Sequence, residues 1–299
     1  MKPATIAVPA TSANLGPGFD CLGLALEIWN YVKFTPEDAH TVSVKGEGSG
    51  ILPQGPDNLL YIAATKYFEK TSNNVPGFSI ECENQIPLAR GLGSSSAAIV
   101  AGLFGACLMN GDNPDLELLW EIAVEMEGHA DNVTPALFGG FQIVVTDEGN
   151  LIRSEVPLPK ELKVVIFVPE QPMPTQEARG LVPQEISLVD AIYNMSRVGL
   201  LVNSLSTGKF DSLHVATRDR LHQDARQALL PEMKTLFTSA LDGGALGVCL
   251  SGAGSSVLAL SAGNEITVAR EMEQGARIAG IDGSIKITQP TPIGVHSTE

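Results

Sequence analysis

The chain has 299 residues, 44% of them hydrophobic and 18% charged, an ordinary globular balance able to bury a sizeable core. Lys and Arg total 19 against 34 Asp and Glu, and a net charge of −15 argues against nucleic acid or an anionic membrane surface as a partner. The four cysteines, Cys21, Cys82, Cys107 and Cys249, form no C-x-x-C pair, so buried free thiols are expected, not a zinc framework or a disulfide scaffold.

Pro3, Pro9, Asn14, Pro17 and Asp20 break any signal-peptide core near the start. Residues 91–111 and 243–264 are uncharged or nearly so, but too rich in Gly and Ser to sustain the roughly 20 apolar residues of a membrane span. The expectation is a soluble, cytoplasmic protein.

In chain order, residues 5–8 read as a short strand that gives way to a loop of Pro, Ser, Asn and Gly. "NYVKFTP" and "HTVSVKG" alternate as neighbouring strands. Asp57 or Asn58 caps a helix over "LLYIAATKYFEKT", and "GFSIECENQIP" is again a strand. A buried helix of small residues follows over 94–109. Asn113 and Pro114 then start a helix that Gly128 stops, and "GGFQIVV" is a strand. Pro157 and Pro159 precede an apolar strand at 164–168, placing a domain boundary near Pro157, between residues 1–157 and 158–299. Helices are predicted at 188–204, 210–228 and 233–241. "GVCLSGAGSSVLAL" gives strand, turn and strand, "EITVAREMEQGARIAG" a helix, and "GSIKITQP" a last strand. Helices mixed with antiparallel strands point to the α+β class, not to a doubly wound parallel sheet.

The segment "IPLARGLGSSSAAIVAGL" carries the first chemical signal. It lacks the lysine of a Walker loop and the third glycine of a dinucleotide fingerprint. What remains is a Gly-rich turn opening a helix, which holds phosphate by amide dipoles and serine hydroxyls. Equally, it is a tight turn into a buried helix with the serines as caps. Two further segments, "PATSANLGPGFDCLGLAL" and "GVCLSGAGSSVLAL", combine glycines with small polar residues, and in the latter Gly252 and Gly254 admit a close backbone. Three such segments in one acidic chain favour a ligand site.

Together they resemble the three signature motifs of the GHMP kinases, the family of galactokinase, homoserine kinase, mevalonate kinase and phosphomevalonate kinase. "IPLARGLGSSSAA" is similar to the family's P-x-x-x-G-L-G-S-S-A loop, while "PATSANLGPGFDCLGLAL" and "EGHADNVTPALFGG" resemble the branch acting on L-homoserine. The resemblance runs nearly end to end. It implies two α+β domains, an N-terminal one like ribosomal protein S5 and a ferredoxin-like C-terminal one, with ATP and substrate in the cleft between them. It also implies a homodimer and a product, O-phospho-L-homoserine, that serves threonine biosynthesis.

The resemblance assigns residues too. Pro87, Leu88, Ala89, Arg90, Gly91, Leu92, Gly93, Ser94, Ser95, Ser96 and Ala97 would carry the ATP phosphates, and Asn58 would border the adenine. Mg2+ would sit on Ser95, with Ser94 the alternate, and on Glu127; Glu125 and Glu121 compete on the same predicted helix. Asn14 and Asp20 would meet the hydroxyl and amino ends of the substrate, with His129 and Asp131 completing that pocket. Thr175, Arg179 and Arg226 would take the carboxylate, for which guanidinium forks suit better than lysine. Asp131 and Asn132 would orient the reacting hydroxyl, with Asp131 as a general base the alternative. Otherwise each arginine is a surface ion pair and the H-x-D pair a C-cap turn. His40, His214, His222 and His296 are read as ordinary residues. Competing readings are another small-molecule kinase of the family, acting on mevalonate or a sugar, or a non-catalytic ligand-binding relative.

Overall fold

The computed structural model describes residues 1–71 and 74–298. Strands β1 (Ala4–Asn14) and β2 (Gly18–Pro36) form one long antiparallel hairpin. The strand expected over 5–8 therefore runs on to Asn14. Sequence alternation fails there because nearly every β1 residue is buried on either face, and Pro9 is accommodated at a register shift. β3 (His40–Gly46), α1 (Leu59–Thr71) and β4 (Phe78–Asn84) make a crossover unit. β4 inserts between β2 and β3 and pairs parallel with β3, so "NYVKFTP" and "HTVSVKG" are strands but not neighbours.

Next come α2 (Ser94–Asn110), α3 (Leu116–Glu127), the short α4 (Val133–Phe138), β5 (Phe141–Asp147) and β6 (Asn150–Val156). α3 starts later than expected because Asp115 is its cap, accepting from the Leu118 amide at 3.2 Å. α4 and β6 were not expected. β5 and β6 are joined through Glu148 and Gly149, both at positive φ, a two-residue hairpin turn without the usual Asn-Gly signal.

The second half holds β7 (Lys163–Pro169), α5 (Thr175–Gly180), α6 (Leu188–Thr207), a 3₁₀ turn at Phe210–Ser212, α7 (Leu213–Ala216), α8 (Gln223–Arg226) and α9 (Met233–Asp242). β8 (Gly247–Leu250), β9 (Val257–Ser261), α10 (Glu265–Ala279) and β10 (Gly283–Thr288) follow, and β11 (His296–Ser297) returns to pair with β1. The single helix predicted over 210–228 is broken. Asp219 accepts from the backbone amides of Leu221, His222 and Gln223, and this local capping displaces the helical ladder.

β7–β10 form an antiparallel sheet in the order β10-β7-β9-β8, the ferredoxin-like arrangement. β7 is apolar from Val164 to Val168 because both faces are covered: Val164, Ile166 and Val168 join the core of the first sheet, Val165 and Phe167 the core beneath α9 and α10. The molecule is thus a two-domain α+β protein whose two sheets share packing. All four cysteines are free, three buried and Cys21 half-buried. Among the described residues, no helix is long and apolar enough to cross a membrane.

Candidate active site

The three Gly-rich segments converge at the N-terminus of α2. The Thr11 amide donates to the Leu92 carbonyl at 3.1 Å, Gly252 to Ala13 at 3.1 Å, and Ser256 to Arg90 at 3.2 Å. Gly91 and Gly93 both lie at positive φ. A Cβ would stand 2.0 Å from the Ser251 carbonyl oxygen at Gly91, and 1.9 Å from Thr11 Oγ1 at Gly93. Glycine is therefore required for the segments to nest against one another. No side chain caps α2, so its first amides are left for a ligand, and the capping role considered for the serines is not seen.

The serine hydroxyls point elsewhere. Ser95 Oγ and Ser96 Oγ both donate to Glu127 Oε1, the latter at 2.9 Å. Glu127 ends α3 and is held beside the loop, while Glu125 faces outward and pairs with Lys66 and Lys70 at 3.2 and 3.0 Å. Hydroxyl and carboxylate oxygens form a hard donor set. Magnesium commonly takes only one or two protein ligands and completes its shell with water and phosphate, so these residues fit it. Among the described residues there is no cluster of three or more His, Cys, Asp or Glu that could hold a metal by themselves.

At the other end of the same cleft the polar residues are arranged in pairs. Asp20 takes Arg179 bidentately, Oδ2 from Nη1 at 2.8 Å and Oδ1 from Nη2 at 2.9 Å. Asn14 spends both sides of its amide on shape: Oδ1 accepts from the Asp20 amide and Nδ2 donates to the Gly252 carbonyl. Asp131 Oδ1 lies 2.7 Å from His129 Nδ1 and accepts from the Asn132 amide at 2.9 Å. Asn132 Oδ1 accepts from Thr11 Oγ1 at 2.8 Å. His129 stands between Asp131 and Glu127. Burial alone would lower its pKa, but the hydrogen bond and charge of Asp131, with the charge of Glu127, outweigh it and the net shift is upward.

Arg226 differs from Arg179. It is 2% exposed, donates from Nε to the Ala178 carbonyl and from Nη1 to the Gly252 carbonyl, and has no carboxylate partner among the described residues. Desolvation, with Arg179 nearby, brings its pKa down to about 10. His222 was read as ordinary, yet it is fully buried. Its Nε2 donates to the Gly16 carbonyl at 2.8 Å, which leaves Nδ1 to accept from Arg226 Nη1 at 2.8 Å. The Phe19 ring lies 5.6 Å from the Arg179 guanidinium carbon and 5.5 Å from that of Arg226.

One cleft of about 410 Å³ connects these groups. Val32, Leu60, Cys82 and Ala101 line its apolar end with Asn58, whose amide is fixed by Pro53 and Leu60. Leu88, Ala89, Arg90, Gly91, Leu92, Gly93, Ser94, Ser95 and Ala97 line its middle, and Asn14, Asp20, Glu127, His129, Asp131, Asn132, Thr175, Arg179 and Arg226 its polar end. Pro87 and Ser96 do not line it. Thr11, Ser12, Ser251, His222 and Asp219 are supporting residues that sequence reasoning passed over; of these only the histidine, four residues before Arg226, carried a visible signal.

The chain matches the "GHMP kinases N terminal domain" family over residues 58–140 and the "GHMP kinases C terminal" family over residues 204–277. It is 41% identical over 285 residues to the homoserine kinase of Microchaete diplosiphon, covering 94% of this chain and 93% of that one. To the homoserine kinase of Synechococcus sp. it is 42% identical over 269 residues, covering 89% and 88%. Among solved structures, homoserine kinase from Cytophaga hutchinsonii aligns with a TM-score of 0.89 at 30% identity, over 99% of this chain and 98% of that one.

Proposed function

The chain belongs to the GHMP kinase family, and from that premise we propose that it transfers the γ-phosphate of ATP to the side-chain hydroxyl of L-homoserine, giving O-phospho-L-homoserine. The uncapped amides at the start of α2, beside Ser94 and Ser95, suit the ATP phosphates, and the apolar end near Asn58 suits the base. Ser95 and Glu127 would hold Mg2+, which when bound neutralises phosphate charge in this acidic chain.

Arg226 is the observation that carries the substrate reading. A buried guanidinium that feels Asp20, Asp219 and Asp131 only from beyond ion-pair distance is costly, and a substrate carboxylate supplies a direct partner. Arg179 is already engaged by Asp20, so the two present a switchable pair at the amino and carboxylate end of the substrate. Thr175 borders the same end. Asp131 Oδ1 is committed to His129 and Asn132, while Oδ2 accepts nothing from the described residues and is left to accept the substrate O–H. We assign Asp131 and Asn132 to orienting that hydroxyl. Phosphoryl transfer passes through a loose transition state, so positioning and charge neutralisation supply most of the rate.

The same reading includes a division at residue 157, action in the cytoplasm, a place in threonine biosynthesis, and a homodimer. The exposed apolar side chains of α6, Leu188, Val189, Ile192 and Met195, support the last.

The test compares L-homoserine with its amide, which lacks the carboxylate charge, in wild type and Arg226→Ala. Wild type should favour homoserine strongly in kcat/KM, and the variant should lose that preference by roughly 2–5 kcal/mol, the cost of breaking a buried charge pair. An unchanged preference in the variant would remove Arg226 from carboxylate recognition.

A further inference from the structure

A second cavity, of about 240 Å³, lies among α6, the 217–224 turn, α9 and β8, and shares no lining residue with the cleft. It is smaller than the roughly 300–1,000 Å³ of drug-sized sites, so it suits a ligand no larger than an amino acid. Met233, Phe237, Leu241 and Val248 make an apolar wall.

The polar groups around that wall include the Gln223 amide, two cations, Arg218 and Lys234, and two carboxylates, Asp219 and Asp224. Gln223 is 5% exposed, and its Oε1 accepts from the Leu250 amide at 2.7 Å. Its Nε2 makes no hydrogen bond among the described residues and stays open to the cavity, a donor free for a ligand. Arg218, exposed at the same cavity, forms no ion pair among the described residues. Among the described residues Lys234 pairs only with Asp224, at 3.2 Å, with both side chains more than half exposed, a contact that a ligand can replace. Asp219 also lines the cavity, but it is occupied by three backbone amides and the Asn194 side chain, so it offers little to a ligand cation.

We propose that this cavity binds a small carboxylate with a short apolar tail, its carboxylate held by Gln223 Nε2 and Arg218. Lys234 stands at the same mouth as a further cation, and the tail lies on the Met233–Phe237–Val248 wall.

The test titrates isotope-labelled protein with isovalerate and with isovaleramide, its neutral counterpart, following the Gln223 side-chain amide by NMR. Isovalerate should give a saturable shift in the millimolar range expected of so small a ligand, with isovaleramide several-fold weaker. Gln223→Glu, which keeps the acceptor for Leu250 but turns the donor into a negative oxygen, should abolish binding. Arg218→Gln, on an exposed side chain, should weaken binding several-fold without changing ADP formation, and it carries the test if the Gln223 variant does not fold. Absence of a saturable shift, equal affinity for the amide, or unchanged affinity in Arg218→Gln would each overturn the proposal.

Discussion

His129 lies 2.7 Å from Asp131 Oδ1 and 3.9 Å from Glu127 Oε1, and its net pKa shift is upward from 6.5. A group whose folded pKa is raised stabilises the fold fully below its unfolded value and loses that contribution as pH rises through the folded one. The stability advantage of wild type over His129→Gln should therefore be largest below pH 6.5 and shrink at higher pH, as followed by thermal unfolding. A difference independent of pH would show that His129 gains no proton on folding. Its neighbour Asp131 separates two roles. Asparagine at that position keeps an oxygen for His129 and for the Asn132 amide, so Asp131→Asn should lower kcat by less than about 100-fold, the lower bound for a general base. A larger loss with unchanged KM would instead make Asp131 the proton acceptor. These residues were legible because H-x-D-N is compact in sequence. His222 was legible only in its spacing to Arg226, because its other partner, Gly16, meets it only after the chain folds.

At the scale of elements, the proposed phosphate loop depends on the fit of α2 against β1. In Gly93→Ala the added Cβ meets Thr11 Oγ1 at a residue with φ of 69°, whereas Gly111, at the other end of α2, has nothing within 4 Å of its would-be Cβ. Both alanine variants should lose about 1–2 kcal/mol to the left-handed backbone. Only Gly93→Ala should also raise the KM for ATP, because only there must the N-terminal turn shift. Equal ATP affinity in the two variants would disconnect the α2 N-terminus from nucleotide binding. Elements with a strong period or a clear cap, such as α1, α2, α6 and α10, were readable from sequence. The hairpin through Glu148–Gly149 was not, because its turn lacks the usual residue pair, and the 210–228 segment looked helical because Asp219 gives no sign of which amides it will capture.

Over the whole molecule, the Gly-rich loop before α2 is fastened to the second sheet by Arg90, whose guanidinium donates to the Leu88 and Pro169 carbonyls and to that of Glu170. β7 ends at Pro169, so this side chain ties the Gly-rich loop before α2 to the part of the chain that also supplies Arg179 and Arg226. Arg90→Ala should raise the KM for ATP several-fold, and Arg90→Lys should not rescue it, because one ammonium cannot replace a fork spread over three carbonyls. The two-sheet organisation was legible in outline from the change of pattern near Pro157. The return of β11 to β1 was not, since two residues carry no periodicity. The most direct measurement is ADP release from Mg-ATP with L-homoserine, mevalonate, galactose and no acceptor. Turnover confined to homoserine is the predicted result; turnover with another acceptor, or ATP binding without turnover on any, would contradict it.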